Sequence, residues 1–184
     1  MPTCLQTVAI VGGGFSGTVL AINLLRNRSI IPRRIILIER RPQVGGGVAY
    51  SQAAHPYLLN VPASRMSANS AVPSEFFDFA RNHNANVGID DFLPRGLYGA
   101  YLRDCLQKAQ ADATADFQII HGTVLAVTGG AGQPFTLHMD GTPQIEANQV
   151  ALCIGTPPPA SICRIEPAAR EQGYVGFAYE SHLE

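Results

Sequence analysis

Charge is scarce in this 184-residue chain. Only 15% of its residues are Asp, Glu, Lys or Arg, against about a quarter in ordinary globular domains. Thirteen Lys and Arg oppose fourteen Asp and Glu, for a formal net charge of −1. That balance gives no electrostatic reason to expect nucleic acid or an anionic membrane surface as partner. Long hydrophobic runs are missing as well. None reaches the ~18–20 residues that span a bilayer. Cysteine is sparse: Cys4, Cys105, Cys153 and Cys163 form no C-x-x-C pair and no zinc-type spacing. The expectation is therefore reduced thiols, no metal site and a cytoplasmic location. A strand is expected to begin within a few residues of Met1, so the N-terminus does not read as a signal peptide. With 46% hydrophobic residues, the chain can bury one good core, or one core and a small satellite.

Glycine, by contrast, is plentiful and unevenly placed. Val8-Ala9-Ile10-Val11 runs into Gly12-Gly13-Gly14-Phe15-Ser16-Gly17, and a helical pattern follows. A β-branched run, a G-x-G-x-x-G turn and a helix, in that order, form the context in which the turn reads as a dinucleotide fingerprint. Gly12 permits the tight turn, Gly14 lets backbone approach a pyrophosphate, and Gly17 lets helix pack closely on strand. The phosphates would sit on free N–H groups at the positive end of that helix, which makes Phe15 and Ser16 candidate contacts too.

Gln6 to Val11 is expected as a fully buried strand, and Phe15 to Arg26 as a helix in which Leu20, Leu24 and Leu25 share the packed face with Gly17 and Ala21. Pro32 breaks the connection, and residues 34–38 form a second buried strand ending at Glu39. Strand, helix and strand at this spacing predict a right-handed βαβ unit. From Gly45 to Pro73 glycine and proline punctuate a long loop, of the kind that tends to be functional. Ser74 is placed to cap a helix from Glu75 to about Arg81, and a second helix is expected from about Gly96 to Ala111. A short strand at 117–120 comes next. Alternating segments at 123–128, 135–139 and 144–147, parted by glycine turns, read as a three-stranded meander. Gln149 to Ile154 is a last apolar strand, ending at Gly155 before the rigid run Pro157-Pro158-Pro159.

The expected fold is α/β: a Rossmann-type parallel sheet with helices on one side and an antiparallel β-meander on the other. The expected organisation is a nucleotide-binding domain over 1–160, with a helical insertion at about 74–111 and the meander at about 123–147. Residues 161–184 would be a tail whose Leu183-Glu184 end reads as an expression scar.

Glu39 can accept both ribose hydroxyls of an adenosine and would repel a 2′-phosphate. Arg40 can flank the adenine or stand as a surface cation. In the long loop, His55 offers an imidazole that titrates near neutrality, and Asn60 a donor and an acceptor. Either can equally be an ordinary loop residue. Arg95 can reach an anion or serve as a helix-entry cation. Asp90-Asp91 lacks further ligands at useful spacing and reads as solvated, while Met66, Phe76, Phe77 and Phe79 read as core.

Gly12, Gly14, Gly17 and Ala21, the acid Glu39 and the pair Gly45-Gly46 together resemble the signature of two-dinucleotide-binding-domain flavoproteins. The resemblance implies FAD, with Gly45-Gly46 along its pyrophosphate, the adenine near Val124, and close backbone approach at Gly155. A nearer resemblance is to the bacterial FAD/NAD(P)-binding family of the YdhS type. It is carried by residues 46–50, 59–63 with 65–67, and 94–102. It implies the FAD-binding portion of an NAD(P)H-linked flavin-dependent oxidoreductase, a monooxygenase being one form, with no catalytic residue assigned. Two departures stand out. The final strand ends Cys153-Ile154-Gly155 where such flavoproteins often have Ala-Thr-Gly, and no second G-x-G-x-x-G occurs. NAD(P)H is therefore expected only in a longer protein, and this chain alone should not turn over. Two other readings stay open: an NAD-dependent dehydrogenase domain, and a non-catalytic nucleotide-binding module of the same fold.

Overall fold

A computed structural model describes residues 5–27, 33–51, 57–141, 143–155, 157, 160 and 165–174. Cys4, Pro32, His55, Pro158, Pro159, Cys163 and the terminal Leu183-Glu184 lie outside them. Four parallel strands form the central sheet: β1 (Gln6–Val11), β2 (Arg33–Glu39), β3 (Asp116–His121) and β7 (Gln149–Leu152). Their order is β3-β2-β1-β7. Helix α1 (Phe15–Arg26) crosses from β1 to β2, as the spacing required.

The alternation of side chains along each strand explains the layers. Val8 and Ile10 of β1 and Ile35 and Leu37 of β2 face the helices, joining Ala21, Ile22 and Leu25 of α1. Ala9, Ile36 and Ile38 face the other way, onto Leu137, Met139 and Ala147. Those three belong to a separate antiparallel sheet of β4 (Val124–Gly130), β5 (Gln133–Met139) and β6 (Ile145–Ala147). Burial of Ile36, Ile38 and Leu137 contributes about 1.5–3 kcal/mol each, which is what holds the meander on the sheet. Helices on one face and the meander on the other match the expectation.

On the helical face, α2 (Glu75–His83) and α3 (Arg95–Ala111) add a second layer. Tyr98, Tyr101, Leu102, Cys105 and Leu106 of α3 are buried together with Phe76. Glu75 is the polar tie. It accepts the Tyr101 hydroxyl at 2.6 Å and pairs with Arg26 of α1 at 3.2 Å. Tyr101 in turn accepts the Ala68 N–H at 3.0 Å. Burial, then the Glu75 carboxylate, pushes the Tyr101 hydroxyl far above its ordinary range.

Several local expectations are corrected. Ser74 makes no side-chain cap; its backbone is helical, and its hydroxyl bonds the Asp78 carboxylate at 2.8 Å instead. The last sheet strand stops at Leu152, so Cys153 lies just beyond it. The long loop contains a 3-10 turn at Ala63–Arg65, and Leu58 bridges antiparallel to Pro94. A short helix α4 (Pro167–Glu171) occupies part of the expected tail.

The β4–β5 turn carries Ala131 at φ +52°, a left-handed conformation that costs a Cβ-bearing residue roughly 1 kcal/mol. Ala131→Gly should therefore stabilise the chain by about 0.5–1 kcal/mol. Urea denaturation would show it as a higher midpoint with an unchanged slope. A lower midpoint would mean that the turn is built otherwise.

Candidate functional site

The carboxyl ends of β1, β2 and β7 open into a cleft of about 380 Å³. That volume lies at the lower end of the range for small-molecule sites. It suits a nucleotide rather than a whole extended dinucleotide. Strand ends at a parallel sheet are where such a fold places its ligands.

One wall is bare backbone. Gly12 turns the chain out of β1 at φ +101°, and a Cβ there would overlap the Cys153 carbonyl. Gly17 sits so tightly under this turn that a Cβ would overlap the Gly12 carbonyl oxygen. Gly14 faces Gly47 with little between them: a Cβ on Gly47 would come within 3.1 Å of Gly14 Cα. Gly12, Gly14, Gly47 and Val48 all line the cleft. Gly45 and Gly46 are buried behind it. Gly45, at φ +84°, donates its N–H to Gly13 O at 2.8 Å, and so ties the loop to the turn.

The second wall is polar. Glu39 is only 5% exposed at the end of β2. One carboxylate oxygen accepts the Gly13 N–H at 2.7 Å, and the other accepts the Arg41 N–H at 2.9 Å. A carboxylate has about four acceptor sites, so two remain for ligand hydroxyls. Arg40 and Arg41 flank it on the cleft side. The Arg41 carbonyl meets His121 Nδ1 at 2.9 Å, which links the ends of β2 and β3.

The third wall comes from Gly122, Thr123 and Val124 at the entry to the meander, and from Cys153, Ile154, Gly155 and Pro157 beyond β7. Ile154 is 72% exposed, an apolar lip at the position where such flavoproteins often carry a threonine.

Of the candidate residues, the cleft therefore brings together Gly12, Gly14, Glu39, Arg40, Val124 and Gly155. Gly17, Gly45 and Gly46 support it from behind. Phe15 and Ser16 are exposed in the first turn of α1, and Phe15 packs edge-on to Tyr50 with ring centroids 6.0 Å apart. Asn60 is exposed and does not line the cleft. It lies on the outer face of the short pairing between Leu58 and Pro94, whose inner face buries Leu59 and Leu93. Arg95 uses its Nε on the Leu58 carbonyl at 3.0 Å, bracing that pairing. Gly99 was missed: a Cβ there would overlap the Tyr50 carbonyl, so α3 makes room for the turn that carries Gly47. Among the described residues no group of three or more His, Cys, Asp or Glu could hold a metal ion, and no helix is long and apolar enough to cross a membrane.

The two described thiols differ in a way that can be measured. Burial, aided by Glu75, pushes Cys105 up to about 11. Desolvation also raises Cys153, but its residue lines the cleft. The thiolate is the nucleophile, so a raised value slows alkylation at pH 8. Cys105 should stay unlabelled by iodoacetamide in the native protein. Cys153 should label slowly, and more slowly still when the cleft is filled. Peptide mapping by mass spectrometry would show this; equal labelling with and without nucleotide would remove Cys153 from the cleft wall.

A glycine turn under a helix N-terminus, a buried acid at the end of the next strand and a cleft between them define a nucleotide-binding α/β protein. Residues 9–157 match the FAD-NAD(P)-binding family, and the chain belongs to that family. It is 38% identical over 147 residues to 6-methylsalicylate 1-monooxygenase of Aspergillus terreus, covering 68% of this chain and 32% of that protein. In fold it is similar to the S-allyl-L-cysteine S-oxygenase of Allium sativum (TM-score 0.58, 19% identity, 84% of this chain and 37% of that one). It is likewise similar to the bacillithiol disulfide reductase of Staphylococcus aureus (TM-score 0.55, 16% identity, 80% and 38%). The chain thus spans about a third of the length of these proteins. The last two likenesses concern the fold alone, and the fold serves more than one reaction.

Proposed function

We propose that the cleft holds the adenosine diphosphate half of FAD, as the FAD-binding portion of an NAD(P)H-linked flavin-dependent oxidoreductase. The observation that carries this reading is the buried Glu39, with acceptor sites to spare, facing the bare backbone of Gly12, Gly14 and Gly47. Glu39 receives the ribose hydroxyls and excludes a 2′-phosphate by like charge. Arg40 and the Val124 backbone border the adenine. The pyrophosphate lies over Gly14, on the N–H groups of the first α1 turn, with Phe15 and Ser16 beside it. Gly155 closes the opposite side. Asn60, outside the cleft, is assigned to the far end of the cofactor, towards the flavin edge.

FAD supplies the electron-transfer chemistry when bound. The chain's own residues anchor, orient and partly desolvate its nucleotide half. A monooxygenase is the form favoured by the likeness to the 6-methylsalicylate enzyme, and the motifs at 46–50, 59–63 and 94–102 support the YdhS type within the family. We read 1–160 as the cofactor domain and assign the nicotinamide partner to sequence beyond this chain.

Titration of the purified protein, followed by flavin absorbance and fluorescence, tests the reading. FAD should bind at least tenfold more tightly than NAD. Tighter binding of NAD would replace this reading by a dehydrogenase, and binding of neither would leave a fold without the cofactor.

A further inference from the structure

Apart from the tyrosines of α3, the buried polar side chains among the described residues are Thr18 and Glu39. Both converge on Gly13, the residue between Gly12 and Gly14 in the glycine turn. Glu39 takes the Gly13 N–H. Thr18, one turn into α1, donates its hydroxyl proton to Gly13 O at 3.0 Å, and the same oxygen atom of Thr18 accepts the Gly45 N–H at 3.1 Å. The Gly45 N–H also reaches Gly13 O at 2.8 Å. Three partners thus fix the two peptide planes that flank Gly13.

The plane between Gly13 and Gly14 matters most. A trans peptide holds its C=O and N–H in opposite directions, and no peptide bond among the described residues is cis. With the Gly13 carbonyl held inward by Thr18 and Gly45, the Gly14 N–H must point outward. Gly14 lines the cleft. The hydroxyl of Thr18 therefore sets the direction of a backbone donor that it never touches. A turn of bare glycines has little intrinsic preference for one plane orientation, so a fixed orientation has to be imposed from outside the turn.

We propose that Thr18 is a positioning residue for phosphate recognition, holding the Gly13–Gly14 peptide so that the Gly14 N–H meets the anionic diphosphate of the bound nucleotide. This rests on the cleft's being the nucleotide site. A side chain that filled space alone would be matched by valine, which has the same shape as threonine without the hydroxyl. It would also affect phosphate and nucleoside equally.

The test compares ADP with adenosine, which lacks the phosphates, by calorimetry or ligand-observed NMR on wild type, Thr18→Val, Thr18→Ala and Thr18→Ser. Wild type should prefer ADP. The preference should fall about tenfold in whichever of Thr18→Val and Thr18→Ala folds, with adenosine affinity held within twofold, and Thr18→Ser should recover it. An unchanged preference in the hydroxyl-free variants would overturn the proposal while leaving the cleft intact. So would equal loss for both ligands, which marks a structural residue. Failure of wild type to bind ADP at all would instead overturn the nucleotide site itself, and the role of Thr18 with it.

Discussion

Replacing Gly14 by valine should reduce FAD affinity more than a hundredfold while leaving the protein folded. The two halves of that result have separate causes. Gly14 stands at φ −71°, an ordinary backbone value, and a Cβ there meets only Gly47, with Cα at 3.4 Å and N at 4.0 Å. Those are ordinary van der Waals distances, so the turn has room for the added Cβ. The cleft has no room for the valine, because the methyl groups fill the space over the turn where the diphosphate must approach backbone. A hundredfold loss corresponds to about 2.7 kcal/mol, comparable to losing two charge-assisted hydrogen bonds. Parallel titrations and thermal melts would check it. FAD binding close to wild type in a folded variant would remove Gly14 from the phosphate site.

Gly17 lies three residues on and should behave in the opposite way. A Cβ at Gly17 would overlap the Gly12 carbonyl oxygen and approach Ile10 Cγ2 at 3.2 Å. The first obstacle is backbone: the Gly12 carbonyl shares its peptide plane with the Gly13 N–H, which Glu39 holds at 2.7 Å, so it cannot swing aside. Gly17→Ala should therefore cost about 3 kcal/mol, a large share of the roughly 5–15 kcal/mol that holds such a domain together. Differential scanning calorimetry should show a melting temperature lower by roughly 6–12 °C, or the variant should fail to accumulate in soluble form. A melting temperature within two degrees of wild type, on the order of 0.5 kcal/mol, would mean that α1 does not seat on the turn in this way.

The contrast between these two glycines shows what could be read from the chain alone. The strand, turn and helix of residues 6–26 were legible because each depends on its own neighbours. An apolar run, glycines at fixed intervals and a helical stripe are local signals. The meander was legible for the same reason, through alternation and glycine turns. Glu39 was legible because the end of an apolar run marks the end of a strand.

The loop from 45 to 51 was not. Three consecutive glycines look alike in sequence, and the resemblance to flavoproteins placed the first two on the pyrophosphate. In the structure Gly45 and Gly46 are buried and Gly47 lines the cleft. Which glycine turns outward is decided by where α3 sits, and in particular by Gly99 beneath the Tyr50 carbonyl. That is a contact between segments about fifty residues apart, with no local signature. The hydroxyl of Ser74 escaped for a related reason. Its preference for capping was outbid by a nearer carboxylate, Asp78, one helical turn away.

Thr18 likewise has no local signature. By sequence it is one more residue on a helix otherwise marked by apolar periodicity. Its role becomes visible only when Gly13, Gly45 and Glu39 are seen to meet at one peptide.

In the proposed function one cleft seats an adenosine diphosphate, with Glu39 on the ribose and Gly14 under the phosphates. A crystal structure of the protein with FAD or ADP tests it most directly. Ribose hydroxyls should lie within hydrogen-bonding distance of the Glu39 carboxylate, and a diphosphate oxygen should lie on the Gly14 N–H. A nucleotide bound elsewhere, or bound here with its ribose turned away from Glu39, would contradict it.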